Sequence, residues 1–553
     1  MTRTRGRWAP WIWAAMLVAA GVVDADTSSR DVDASVSIAE ILRHLRALGD
    51  DAMEGRGTGT PGGERAAAYL ESQLARLDLE PLGGGYRQAV PLHGSLPLAA
   101  SRLTLAAADG RRRTLALWDD YVLFDTGAQT FLPQPVPLTF VAYGIVAPEF
   151  DYNDYQRADV SGRIAVFMAG EPPSRDPSYF DGERPTIHSD PEMKFRTALA
   201  RGARGAILIP SPRERAYLDW SRVLDAFQTE DVTLPYGVAG SLNVLLRLEP
   251  AARLFNGAPT SLGRVLELDR EGALGSFPLA ARVSFAGAFD ERDFVAHNLV
   301  ARLPGADPLL RDRHVIVSAH YDHLGTGRAK GGDTIYNGVI DNASGTAVVL
   351  ELARVLSSRP SRPRRSVLFL FVTGEEKGLL GSRFYSDHPV VPLHRTVAAV
   401  NVDGISFLDA SDEFVGIGSA YSTLGELLEA TLAGLGLRRA EVPALFTLRE
   451  PFYESDQLAF AQAGIPAILV MEGLAFRDLK GAEGVRRFVA WGNERYHTPF
   501  DDLSQPLDHA AIEQHATVLL AFVERVADTP IEPQWLPGAP WTGERLRTMA
   551  EGR

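Results

Sequence analysis

Three short apolar runs in the second half of this chain each lead into a potential metal ligand. Val315 to Ala319 ends at His320, and Val367 to Val372 is followed by Glu375 and Glu376. Val397 to Val402, broken only by Asn401, ends at Asp403. Runs this short and this apolar suit strands buried on both faces of a mostly parallel sheet, with helices on either side. Open α/β sheets place their sites just beyond the strand ends. The pattern therefore predicts an α/β fold whose site lies along one sheet edge. Two more candidates join the series. Asp341 opens the small-residue helix start Asp341-Asn342-Ala343-Ser344-Gly345, and His497 begins His497-Thr498-Pro499-Phe500-Asp501-Asp502.

Two histidines and three carboxylates form a mixed nitrogen and oxygen set that suits zinc. A catalytic zinc takes about three protein ligands and a water. Five residues can therefore serve two ions if one carboxylate is shared, and paired ions of this kind activate water and clamp a carbonyl oxygen. Glu375 is left over. Neighbouring side chains on an extended strand end point apart. If Glu376 holds metal, Glu375 is free to face water as a general base.

The ordered set resembles the M28 zinc metallopeptidases of the aminopeptidase type. The motifs that carry the resemblance are Ala319-His320-Tyr321-Asp322-His323, Gly338 to Gly345, Gly374-Glu375-Glu376, Asn401-Val402-Asp403 and Tyr496-His497-Thr498-Pro499. The resemblance implies two zinc ions bridged by Asp341, one held also by His320 and Asp403, the other by Glu376 and His497. It implies a metal-bridging hydroxide activated by Glu375, with Asp322 as the carboxylate that orients His320. It also implies a cis peptide bond between Asp341 and Asn342, and a tyrosine, here Tyr453, that hydrogen-bonds the tetrahedral intermediate. The segment Leu45 to Pro91, with Met53 to Gly63, resembles the N-terminal part of secreted members. One departure is that Gln457 follows Ser455-Asp456, where relatives often have histidine.

The 553 residues exceed one small domain. From residue 95 to 290, short apolar runs alternate with Pro, Gly and Asp turns, which reads as a β-rich unit. Its segments Phe140 to Gly144, Val160 to Ile164 and Arg201 to Ala206 resemble a protease-associated (PA) domain. The expected organisation is a signal peptide at 1–25, the N-terminal part of the peptidase domain at 26–94, the PA-like insert at 95–290, the di-zinc catalytic domain at 291–529, and a C-terminal tail at 530–553. Arg3, Arg5 and Arg7 precede the apolar stretch Ala9 to Val23, which is short for a membrane span. That reads as export to the periplasm or the medium, without a stable membrane anchor.

A net charge of −14 argues against nucleic acid as a partner. The absence of cysteine excludes disulfides, thiolate zinc sites, a cysteine nucleophile and a lipoprotein anchor. No Gly-x-Ser-x-Gly elbow stands between a strand and a helix, which argues against a serine hydrolase. His323 reads as a pocket-wall or supporting residue. His188, His297, His509 and His515 read as structural. Asp501 and Asp502 fit either orienting His497 or capping the helix that follows. The function expected is release of N-terminal residues from peptides. The alternatives are a carboxypeptidase of the same family, which needs basic groups such as Arg175, Arg184, Arg213 or Arg215 for a free carboxylate, and an inactive binding protein.

Overall fold

The computed structural model describes residues 35–552, apart from 108, 125–129, 184, 215–216, 238–239, 444–450 and 480. The expected signal peptide, Arg184 and Arg215 lie outside the described residues. The three apolar runs form the strands His314–His320, Ser366–Val372 and Thr396–Asn401. With Ala467–Glu472 they make a parallel core in the order 366–372, 314–320, 396–401, 467–472. The outer pairings of this ten-stranded sheet are mostly antiparallel, beginning with Phe289–Leu303 against Ser366–Val372. The parallel centre thus matches the expectation, inside a mixed sheet.

The strands are apolar throughout because each feeds two cores. Val315, Val317, Val367, Phe369 and Phe371 face one core, shared with the helices Ile38–Leu48, Pro61–Arg76, Gly345–Ser358 and His509–Asp528. Ile316, Leu368, Leu370 and Val372 face the other, with Tyr385, Phe460 and Trp541. This is the period-two alternation of a strand with helices on both faces. Helix Gly345–Ser358 is buried along most of its length. Sheet, N-terminal helix and the long helix near the C-terminus enclose it, which explains its run of Ala, Val and Leu.

A second, eight-stranded sheet has its own two cores. Its strands run from Arg102–Ala106 to Phe277–Ala286. One short strand of the intervening sequence leaves it. Asp231–Thr233 pairs antiparallel with His93 to Ser95 and so becomes an edge of the ten-stranded sheet. Polar ties fix this strand. Lys377 Nζ donates to Thr229 Oγ1 at 3.1 Å and to the Glu230 carbonyl at 3.0 Å. Arg292 forks onto Glu230 with two 2.6 Å contacts. The C-terminal stretch wraps the surface: Trp535 Nε1 donates to the Gly464 carbonyl, Trp541 packs on Phe452, and Thr542–Ala550 is helical.

His515, expected to be structural, is fully buried. Its Nδ1 accepts the Ser406 backbone N–H at 2.9 Å, so Nε2 carries the proton and donates to the Val470 carbonyl at 3.1 Å. Burial lowers its pKa from 6.5 to about 4. The unfolded chain therefore takes up this proton first. The stability tied to neutral His515 is complete above about pH 6.5 and is lost as pH falls towards about 4. His515→Gln should reduce the stability lost between pH 7.5 and 4.5 by about 2 kcal/mol, read from urea unfolding at both pH values.

Candidate metal centre

The site forms where the parallel strands end. His320 is the last residue of its strand, and the register places it opposite Val372, three residues before Glu375. Asp403 follows the next strand by two residues. Asp341 lies in the turn leading into helix Gly345–Ser358, and His497 follows helix Ala482–Glu494. All five expected ligands converge. His320 Nε2 lies 3.1 Å from Asp403 Oδ1 and 3.3 Å from Asp341 Oδ1. His497 Nε2 lies 3.0 Å from Asp341 Oδ2 and 3.2 Å from Glu376 Oε2. Asp341 thus offers one oxygen to each histidine, the arrangement a bridging carboxylate needs. Glu375 joins His320 and Asp403 in one compact donor group. The Asp341–Asn342 peptide bond is cis.

The electrostatics ask for positive charge. Burial alone would lower the pKa of His320 and His497. The carboxylates facing them, Asp403 and Glu375 for His320 and Glu376 for His497, outweigh burial and hold both imidazoles well above 6.5. Burial, together with Asp403, Asp456 and Glu376, pushes the Glu375 carboxyl well above the usual range. Without a metal, the chain neutralises its carboxylates with imidazolium protons. Divalent cations held by the same nitrogens and oxygens would do so in their place, so the donor set fits two zinc ions.

Several supporting contacts were not legible as such. Asp501 does not orient His497. Its buried carboxylate accepts the backbone N–H groups of Ile340 (3.0 and 3.1 Å) and Asp341 (3.1 Å), and so pins the loop that presents the bridging ligand. Asp502 caps its own turn at Ser504. His323 is a direct partner of a ligand, with Nδ1 2.6 Å from Glu376 Oε1. Gly338 makes room for it: a Cβ there would come within 2.4 Å of the His323 ring, and φ is +59°. Ser455 Oγ donates to Asp403 Oδ2 at 2.6 Å. Gln457, the departure from the family pattern, ties Asn401 to the Phe452 carbonyl.

One expected role shifts. The Asp322 carboxylate stands 3.9 Å from His320 Nδ1, too far for a hydrogen bond, because Thr58 Oγ1 (2.9 Å) and the Glu375 N–H (3.2 Å) hold it. The main-chain carbonyl of Asp322 faces Nδ1 instead, at 3.2 Å. Tyr453 packs its ring near Phe452 and Trp541. The tyrosine among the carboxylates is Tyr496, stacked on His497 with ring centroids 3.9 Å apart. Tyr496 is 47% exposed, and crowding by protein atoms together with the charges of Asp341, Glu376, Asp403 and Glu375 raises its phenol pKa, so it stays a hydrogen-bond donor. Its position directly before His497 was the available signal. Asp501→Asn should cost about 2 kcal/mol in urea unfolding of metal-free protein, because one buried N–H loses a charged acceptor.

Comparisons with known proteins agree with this geometry. A probable zinc metalloprotease of Pyricularia oryzae is 36% identical over 149 residues, 27% of this chain and 25% of that protein. A probable glutamate carboxypeptidase VP8 of Zea mays is 26% identical over 416 residues, 69% of this chain and 52% of that one. The chain thus spans between a quarter and about half of these relatives. The solved aminopeptidase from Aneurinibacillus sp. strain AM-1 shares the fold, with TM-score 0.51 and 18% identity over 90% of this chain and 97% of that one. Residues 298–523 match the model of peptidase family M28. The stretch holding all five ligand candidates and Glu375 is therefore a peptidase family M28 domain.

Proposed function

We propose that the chain is an exported two-zinc exopeptidase that releases residues from the N-termini of peptides. One observation carries this reading above the others: five carboxylates, Asp322, Asp341, Glu375, Glu376 and Asp403, crowd one end of the sheet. Once bound ions compensate these charges, the two ends of a peptide are told apart by whether a cationic side chain waits for a free carboxylate. The arginines considered for a carboxypeptidase give it no support among the described residues. Arg213 is tied to Asp269 at 2.9 Å, and Arg175 lies on the surface beside Glu183.

His320, Asp341 and Asp403 would hold one zinc, and Asp341, Glu376 and His497 the other. When bound, the ions supply Lewis acidity toward a carbonyl oxygen and lower the pKa of nearby water. The protein's own groups do the rest. Glu375 takes the proton of the attacking water and passes it to the leaving amine. Tyr496 donates its O–H to the oxygen on which charge develops. Export rests on the arginines and apolar stretch of the leader. Among the described residues, no helix is long and apolar enough to cross a membrane.

One peptide offered in three forms tests the reading: free at both ends, N-acetylated, and C-amidated, with products followed by mass spectrometry in the presence of zinc. Loss of N-terminal residues, blocked by acetylation and abolished in Glu375→Gln, is the expected result. Loss from the C-terminus, blocked by amidation, would move the assignment to a carboxypeptidase. No cleavage of any form would sink the peptidase reading for that sequence. Tyr496→Phe should lower kcat by about 10²-fold and leave the bound zinc unchanged by elemental analysis. An unaltered kcat would remove Tyr496 from the chemistry.

A further inference from the structure

The segment Asp50 to Gly63 lies far upstream of residues 298–523, yet it underlies the metal centre. Its centre is Arg56, fully buried and with φ +51°. The guanidinium donates only to main-chain carbonyls. Nε reaches Tyr321 at 2.7 Å, Nη1 reaches Leu48 at 2.8 Å and Asn337 at 2.5 Å, and Nη2 reaches Gly338 at 2.7 Å. Tyr321 sits between His320 and Asp322, while Asn337 and Gly338 lead into Asp341. One side chain thus joins the two loops that carry a histidine ligand and the bridging carboxylate. Thr58 adds a bond to Asp322, and the Arg56 carbonyl accepts the His323 N–H at 3.3 Å.

The surroundings leave no slack. A Cβ on Gly55 would lie 2.4 Å from the carbonyls of Gly325 and Tyr336, and one on Gly63 would lie 2.4 Å from the Gly57 carbonyl. Asn337 Nδ2 returns bonds to the Gly49 carbonyl and to Asp51. A buried guanidinium is costly unless paired and fully bonded. A clamp built only for stability has no need of a charge here. What distinguishes this place is the set of carboxylates beside it: Asp341, Asp501, Asp322 and Glu376 all act on Arg56 electrostatically.

We propose that Arg56, with Thr58, is a positioning element of the metal centre: it fixes the loops of His320 and Asp341 relative to each other and so sets the affinity for the pair of ions. This rests on the two-zinc reading above. Groups outside the ligand set that orient ligands are generally worth about 10–100-fold in metal affinity. Arg56→Lys keeps the charge but loses the planar fork that serves three chain segments at once. Thr58→Val removes one bond and nearly keeps the volume.

The test uses the full chain, stripped of metal and titrated with zinc against a fluorescent chelator, with melting followed in parallel with and without zinc. In Arg56→Lys the weaker zinc dissociation constant should rise about 10-fold or more, and the rise in Tm on adding zinc should shrink accordingly. Thr58→Val should show a smaller change in the same direction. If Arg56→Lys does not fold, judged by circular dichroism, Thr58→Val decides alone. A clamp that is merely structural gives a lower metal-free Tm with unchanged zinc constants, and that result overturns the proposal. Wild-type protein that binds no zinc overturns the two-zinc reading and this inference together, whereas zinc-binding wild type with zinc-indifferent variants overturns this inference alone.

Discussion

Mutual repulsion among buried carboxylates is the constraint that the rest of this structure answers. Asp341, Glu375, Glu376 and Asp403 meet within a few ångströms, with Asp322, Asp456 and Asp501 close behind. Left alone, such a group would open the strand ends or take up protons. Every neighbouring element supplies something against that tendency. His320 and His497 face the foremost oxygens, Arg56 lies beneath, and hydroxyls from Thr58, Ser382 and Ser455 each hold one acid. Burial raises Asp456 to about 7, so one of these acids can carry a proton near neutrality. The same concentration of charge that strains the metal-free site is what gives it affinity for divalent ions.

The second sheet is not a free appendage to this arrangement. The strand Asp231–Thr233 belongs to the catalytic sheet by hydrogen bonding and to the intervening sequence by connectivity. Next to it, Thr229 and Glu230 hold Lys377, which directly follows the candidate ligand Glu376. Glu230 also pairs with Arg292, whose Nη1 donates to the Gly59 carbonyl of the N-terminal loop. The loop of Glu375 and Glu376 is therefore braced from the far side by residues that sequence alone assigns to a separate unit.

What the sequence disclosed followed from local pattern. Strands buried on both faces write themselves as apolar runs, and ligands at their ends stand out because a charged residue there breaks the run. His320, Glu376 and Asp403 were legible for that reason. What stayed hidden acts across long sequence separations. Arg56 stands out in the sequence only as part of the Met53 to Gly63 resemblance, because three of its four acceptors lie 265 to 282 residues away. Asp501 reads equally as orienting His497 or capping a helix, because its main-chain partners lie about 160 residues earlier. The strand Asp231–Thr233 is too short to carry a period.

The long reach of Arg56 also bears on the order in which the chain takes shape. The helix Ile38–Leu48 and the loop after it are made long before their partners. Ser37 waits for Glu351, 314 residues on, and Arg56 waits for Gly338. At about 5–20 residues per second, synthesis leaves this segment without its docking surface for tens of seconds. Closing so large a loop is slow compared with local helix formation. This segment must therefore stay soluble and uncommitted until residues as far on as Glu351 exist.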